Sequence, residues 1–185
     1  MSKTSAYSTI IVIGGIIGMV SLFLEWSHVG YVPWEEAIEP FFKGPSEWID
    51  MVLEKITNSE TRFDGIMLLM FLVTFIASLI AIIGGSISAA RSKKRGGGAG
   101  KLAGILVLMA VLMYLLDFLM SNDMDFSGMI ELIIPKELSI TGLHLALIAA
   151  ILMIIGGSAR KRASKKKKKK KAKKPKEEAE EEETD

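Results

Sequence analysis

The sequence predicts an all-α, polytopic membrane protein in which four transmembrane helices form a bundle. Four stretches rich in Leu, Ile, Val and Met are each close to the ~20 residues that cross ~30 Å of hydrocarbon. The segments between them alternate between basic and acidic composition, as expected of loops on opposite sides of a bilayer. A membrane β-barrel would instead show polarity alternating over segments of roughly ten residues.

The predicted spans are residues 7–24, 66–86, 102–120 and 138–158. The first span follows a short N-terminal segment, as a secretory signal would. The sequence Leu24-Glu25-Trp26 at its end offers no small-residue cleavage site. We therefore expect this first span to stay attached to the chain.

Loop charges predict the topology. Segment 87–101 carries five basic residues and no acid, whereas segment 25–65 carries nine acids and three bases, and segment 121–137 four acids and one base. Basic loops face the cytoplasm in most membrane proteins. The N-terminal residues 1–6 and the tail 159–185 are therefore predicted to be cytoplasmic, and the two acidic loops to face outward from the plasma membrane.

Basic residues at the ends of the second and fourth spans are predicted to contact anionic lipid headgroups of the inner leaflet. They are Arg91, Lys93, Lys94, Arg95, Arg160, Lys161 and Arg162. The tail after Ser164 is a lysine block followed by a glutamate block with almost no apolar residue, which predicts disorder. The net charge of +2 combines segments of opposite sign and gives no support to nucleic acid as a partner.

A short amphipathic helix is predicted over residues 46–57 of the first outer loop. Its apolar residues share one face at helical spacing: Trp48, Ile49, Val52, Leu53 and Ile56. Such a helix lies flat on the outer leaflet or roofs the bundle. The acidic residues on its other face favour the roof, because surface-seeking helices usually carry Lys and Arg.

Aromatic residues of the same loop are predicted to act as interfacial anchors, because amphipathic rings favour the headgroup level. They are Trp26, Tyr31, Trp34 and Trp48. The same rings would also suit a pocket for a sugar or a lipid headgroup, an alternative that the few polar neighbours make less favoured.

Small residues within the spans predict close helix packing, since in lipid they allow backbones to approach. They are Gly14, Gly18, Ala77, Ala81, Gly85, Gly156 and Gly157. These residues either close this chain's own bundle, which we favour, or recruit a membrane-protein partner or a second copy of the chain.

Three ionisable residues, Glu25, Asp117 and His144, fall near the outer ends of the spans. If their side chains converge, they form an outward-facing cation or proton site. The favoured alternative leaves both carboxylates at the water interface and has His144 bonding a nearby backbone group or Thr141. We therefore predict no resident metal and no cofactor.

No arrangement of residues suggests catalysis. The chain has two histidines, no cysteine and no glycine-rich phosphate loop after a strand. The expected function is that of a non-enzymatic accessory subunit or scaffold, which binds a partner through its helices or acidic outer loops. The alternative is a small transporter or channel-forming oligomer using the Glu25, Asp117 and His144 layer, although the middle of the spans offers few polar groups.

In topology alone the chain resembles claudin-type tetraspan proteins, which also have four spans, cytoplasmic termini and a long first outer loop. The corresponding loop here has Gly44 to Trp48 in place of their Gly-Leu-Trp motif, and it lacks their two cysteines. The resemblance therefore implies no role for any residue.

Overall fold

The computed structural model of the protein describes residues 3–24, 38–58, 60–90, 97–121 and 141–181. Within these ranges the regular structure is helical and no strand occurs. The helices are α1 Lys3–Ser21, α2 Glu39–Lys43, α3 Pro45–Thr57, α4 Arg62–Ala90, α5 Gly97–Ser121 and α6 Gly142–Glu181.

Three of these helices are long and apolar enough to cross a membrane. The candidate spans are Arg62–Ala90, Gly98–Asp117 and Gly142–Arg160. The apolar part of α1, Ser5–Ser21, is shorter. The described chain is therefore all-helical with three candidate spans, and the fourth predicted span stays a prediction.

The helices extend beyond the predicted apolar runs. The predicted span 66–86 lies within α4, and 102–120 lies within α5, whose first residue Gly97 falls in the predicted basic loop. Helix α6 continues through the lysine-rich tail to Glu181, where the sequence predicts disorder. Lys, Ala and Glu are strong helix formers, which accounts for the helical backbone. No apolar face there provides tertiary packing, and disorder of the tail stays a prediction.

The four long helices pack in a cyclic order. Helix α1 packs against α4 and α6, and α5 packs against the same two helices. The largest fully buried side chains include Ile11, Val107, Tyr114 and Met153, one from each of α1 and α6 and two from α5. The hydrophobic core therefore lies between these helices.

The glycines fix how α1 lies against α4. A Cβ atom added at Gly18 would lie 2.5 Å from Ser78 Oγ, and one added at Gly85 would lie 3.3 Å from Ser8 O. Early residues of α1 thus meet late residues of α4, so the two helices are antiparallel.

Helix α3 lies along the side of α4. It begins at Pro45, whose fixed φ suits the first helical turn. Trp48 and Val52 are buried, and a Cβ atom added at Gly65 of α4 would lie 2.8 Å from Ile56 Cγ1. In the described part of the chain α3 packs mainly on α4 and α2. This position differs from the expected roof over the ends of all four helices.

Candidate functional site

A buried carboxylate lies near the end of α5. Asp117 is only 7% exposed, and its Oδ1 is 3.9 Å from Nε of Arg62, the first residue of α4. The antiparallel packing of α4 and α5 brings these two residues together. Beside them the rings of Phe63 and Tyr114 pack with their centroids 5.8 Å apart. We call Arg62 and Asp117 the Asp117 pair.

The Asp117 pair is incompletely satisfied. Within the described residues, Asp117 Oδ2 is buried and has no hydrogen-bond partner. The Arg62 side chain is about half exposed, at 54%, and its single 3.9 Å contact is longer than a good charge-assisted hydrogen bond. A buried acceptor without a partner costs free energy. The carboxylate can therefore still accept a proton, a cation or a cationic group.

His144 has a local structural role. The backbone N–H of Thr141 donates to His144 Nδ1 at 3.3 Å, and the Thr141 hydroxyl lies 2.7 Å from the same nitrogen. Since an N–H only donates, Nδ1 is the acceptor and the ring proton belongs on Nε2. The contact resembles the return half of a capping box at the start of α6. It is the Thr141 interaction that the sequence offered as the favoured alternative.

Convergence of the three ionisable residues stays a prediction. Glu25 lies outside the described residues. Among the residues that are described, no group of three His, Cys, Asp or Glu side chains could hold a metal ion.

A buried arginine joins three helices at the opposite end of the molecule. Arg160 of α6 is only 3% exposed. It donates to the hydroxyl of Ser8 on α1, and its Nη2 donates to the carbonyl oxygen of Ser88 on α4 at 2.7 Å. We call these three residues the Arg160 cluster. Hydrogen bonds from a charged donor are stronger than neutral ones, so the cluster fixes the start of α1 and the end of α4 relative to α6.

The buried position of Arg160 corrects the sequence prediction, which placed it with the cations that contact headgroups. Arg162, two residues later, is exposed and keeps its predicted role as a prediction. The buried residues Ala149 and Met153 precede Arg160 at spacings of helical periodicity. That continuing face is the signal that would have predicted an inward arginine.

The remaining predicted headgroup contacts fall elsewhere. Arg91, Lys93, Lys94 and Arg95 lie outside the described residues, as does the side chain of Lys161. Their predicted role is neither supported nor contradicted.

The predicted small residues lie at contacts between helices of this chain. A Cβ atom added at Gly14 would lie 2.8 Å from Met153 Cγ, and one at Gly156 would lie 2.9 Å from Ile11 Cγ1. Ala77 and Ala81 are fully buried, and Gly157 is buried as well.

Two close approaches were not singled out from the sequence. A Cβ atom at Gly15 would lie 2.9 Å from Ser78 O, and one at Gly104 would lie 2.7 Å from Ala150 O. Both contacts involve a neighbouring backbone, so the helices approach closely at these points. Gly15 belongs to no GxxxG pattern and gives little signal, whereas Gly100 and Gly104 lie four residues apart and form one, a signal that could have indicated Gly104.

Trp48 does not have the exposed position expected of an interfacial anchor. It is buried on α4, and its ring centroid lies 5.5 Å from that of Phe41 in an edge-on arrangement. Burial follows from the position of α3 beside α4. The other predicted anchors, Trp26, Tyr31 and Trp34, lie outside the described residues.

A few polar groups lie deep in the spans, on α1 and on α4. Thr74 and Ser78 are fully buried, and their hydroxyls have no hydrogen-bond partner among the described residues. Ser21 is also fully buried, and its hydroxyl donates to Gly18 O at 2.7 Å. This interior therefore offers few hydroxyls and no described charge.

The chain matches no protein-family model, no curated protein and no solved structure.

Proposed function

We propose that the chain is a non-enzymatic integral membrane protein that acts as an accessory subunit or scaffold for a membrane-protein partner. In this proposal α1, α4, α5 and α6 form a transmembrane bundle in the plasma membrane. The apolar part of α1, Ser5–Ser21, is about 26 Å long, and α1 packs against two of the candidate spans. Both features support α1 as the fourth span.

The close packing of the helices is the observation that carries the proposal. Cβ atoms added at Gly14, Gly15 and Gly104 would all come within 3 Å of a neighbouring helix. A conducting path needs polar groups along its length, whereas the charged groups described in the interior lie at the helix ends. A closely packed interior whose charged groups lie toward the helix ends favours a rigid binding protein over a channel or transporter.

The charges of the outer loop and the tail support the proposed orientation and indicate the kind of surface that the partner presents. The α3 residues Glu47, Asp50 and Glu54 are exposed, and no ion pair joins them to any described residue. In our proposal these acids face outward and meet a basic surface of the partner, and the lysine-rich tail lies at the anionic inner leaflet. An amphipathic α3 thus combines a buried apolar face with an acidic face free for the partner.

The test is copurification of the tagged chain from its native membrane in mild detergent, with stoichiometry measured by mass spectrometry. A variant with Glu47→Gln, Asp50→Asn and Glu54→Gln is compared with a control variant in which tail residues Glu177 and Glu178 become Gln. We expect a stoichiometric companion that the control retains and the α3 variant loses. A chain recovered alone in every preparation would overturn the proposal.

A second candidate function is a small transporter or channel-forming oligomer. The buried Asp117 carboxylate, whose Oδ2 has no hydrogen-bond partner among the described residues, favours it, because ionisable groups within spans often serve ion pathways. Flux measurements in reconstituted vesicles distinguish the two candidate functions. Cation- or proton-dependent flux that Asp117→Asn abolishes supports transport, and absence of flux favours the scaffold.

A further inference from the structure

Helix α4 extends beyond the end of α1. Gly18 of α1 lies beside Ser78 of α4, and the two helices are antiparallel, so Ser21 at the end of α1 lies near residue 75. Residues 62–74 of α4, about 20 Å of helix, therefore continue past α1.

The segment formed by α2 and α3 covers one side of this extension. At one end, Ile56 lies against Gly65. At the other end, the ring centroid of Phe42 lies 5.7 Å from that of Phe75. The segment therefore runs along α4 from its first turn to about the middle of the helix.

Helix α3 has three distinct faces, because successive helical residues are rotated by about 100°. Trp48 and Val52 are buried on the first face. The second face carries Ile49 and Leu53, which are 47% and 54% exposed. The third face carries exposed acids, among them Asp50 and Glu54.

We propose that the second face inserts into the outer leaflet of the bilayer. In this arrangement Phe42, Ile49 and Leu53, which we call the apolar strip, contact acyl chains. The acids of the third face remain in water. The inference rests on the proposed membrane embedding of the chain and adds a lipid contact outside the spans.

Continuity with the surface of α4 supports lipid as the occupant. Phe42, itself 60% exposed, contacts Phe75, and the next residue of α4, Ile76, is an exposed apolar side chain. Farther along α4, Ile83 and Ile87 are exposed as well. The apolar strip thus lies next to the face of α4 that a bilayer would cover, about 100° around the helix from Phe75.

The size and charge of the strip also favour lipid. Three side chains offer far less than the ~800 Å² per partner that a stable protein interface buries. Interfacial helices bind by apolar area together with attraction between basic residues and anionic lipid. The exposed charges next to the strip are the acids of the third face and Lys43, whose Nζ lies 2.6 Å from Glu39 Oε1, so the acids outnumber the bases. The fitting surface is therefore a leaflet of zwitterionic headgroups, with anionic lipid weakening the insertion.

Nitroxide labelling tests the inference cleanly, because the chain has no cysteine and each introduced cysteine is the only label site. The variants Ile49→Cys and Leu53→Cys are labelled in phosphatidylcholine nanodiscs. Collision rates are then measured with oxygen, which concentrates in lipid, and with a polar nickel chelate, which stays in water. Asp50→Cys and Glu54→Cys are the matched controls on the same helix, and Ile83→Cys is the reference for the span.

We expect labels at Ile49 and Leu53 to favour collision with oxygen, as at Ile83, and labels at Asp50 and Glu54 to favour the nickel chelate. With equal parts of phosphatidylglycerol in the disc, the oxygen preference at Ile49 should fall while that at Ile83 holds. Access of the nickel chelate to Ile49, or shielding of Ile49 from both reagents, would overturn the inference. Access of the nickel chelate to Ile83 would instead overturn the membrane embedding itself.

Discussion

The Arg160 cluster and the Asp117 pair lie at opposite ends of the packed helices and differ in how fully a buried charge is hydrogen-bonded. In the Arg160 cluster the guanidinium is buried and has two acceptors on two other helices. In the Asp117 pair the carboxylate is buried, but its partner is half exposed and one oxygen has no described donor. A buried charge whose hydrogen bonds are satisfied holds its neighbours in place, whereas a partly satisfied one contributes less to fixing them. We therefore expect the helix contacts at the Arg160 end to be the more stable of the two.

The largest effect should come from breaking the Arg160 cluster. We expect Arg160→Ala to lower the free energy of unfolding by about 3 kcal/mol, because two hydrogen bonds from a charged donor are lost. Titration with dodecyl sulfate, followed by circular dichroism, measures the change. Arg162→Ala, which alters an exposed arginine one half-turn away, should leave stability unchanged. Equal losses from the two variants would show that the cluster fixes nothing.

The close packing between the two ends can be tested with a pair of glycines on α5. A Cβ atom at Gly104 would lie 2.7 Å from the backbone oxygen of Ala150, whereas one at Gly98 would meet nothing within 4 Å. We expect Gly104→Ala to cost about 1–3 kcal/mol through overpacking. Gly98→Ala should be neutral or slightly stabilising. The same titration compares them, and a Gly104 variant as stable as the Gly98 variant would contradict the packing described here.

A smaller effect is expected at the Asp117 pair. Asp117→Asn removes a buried charge and keeps the shape of the side chain, so the free energy of unfolding should change by no more than about 1 kcal/mol. A loss as large as that from Arg160→Ala would mean that both ends are equally fixed, and the contrast between them would disappear.

The smallest effect should follow Arg62→Gln. The arginine is half exposed and its contact with Asp117 is long, so we expect a loss of less than about 1 kcal/mol. A double-mutant cycle with Asp117→Asn isolates the coupling between the two side chains. Strong coupling would show that solvent does not weaken this pair.

The long helices could be predicted from the sequence because long, continuous apolar runs are typical of helices that cross a membrane. The run from Ile66 to Ser86 predicts a helix, and α4 includes all of it. The run does not indicate that α4 starts four residues earlier. Nor does it indicate that α3 packs beside the first turns of α4, because that packing depends on where α1 ends. The length of a helix is set by its neighbours as well as by its composition.

The site residues were harder to predict because each depends on the register between helices. Arg160 belongs to a basic stretch and looks like its neighbours until α1 and α4 place Ser8 and Ser88 beside it. Trp48 looks like an interfacial ring until α3 packs along α4. Nothing in the sequence pairs Arg62 with Asp117, because the two residues are 55 positions apart and only the antiparallel pairing of α4 and α5 brings them together.

The proposed function requires that the chain crosses the membrane four times with the Arg160 end in the cytoplasm. Single cysteines at Ala6, Asn58 and Arg162, all exposed positions, test it most directly in intact cells treated with a membrane-impermeant maleimide. We predict that Asn58→Cys is labelled at once, and that Ala6→Cys and Arg162→Cys are labelled only after lysis. External labelling of Ala6→Cys would remove α1 from the spans, and external labelling of Arg162→Cys would contradict the orientation.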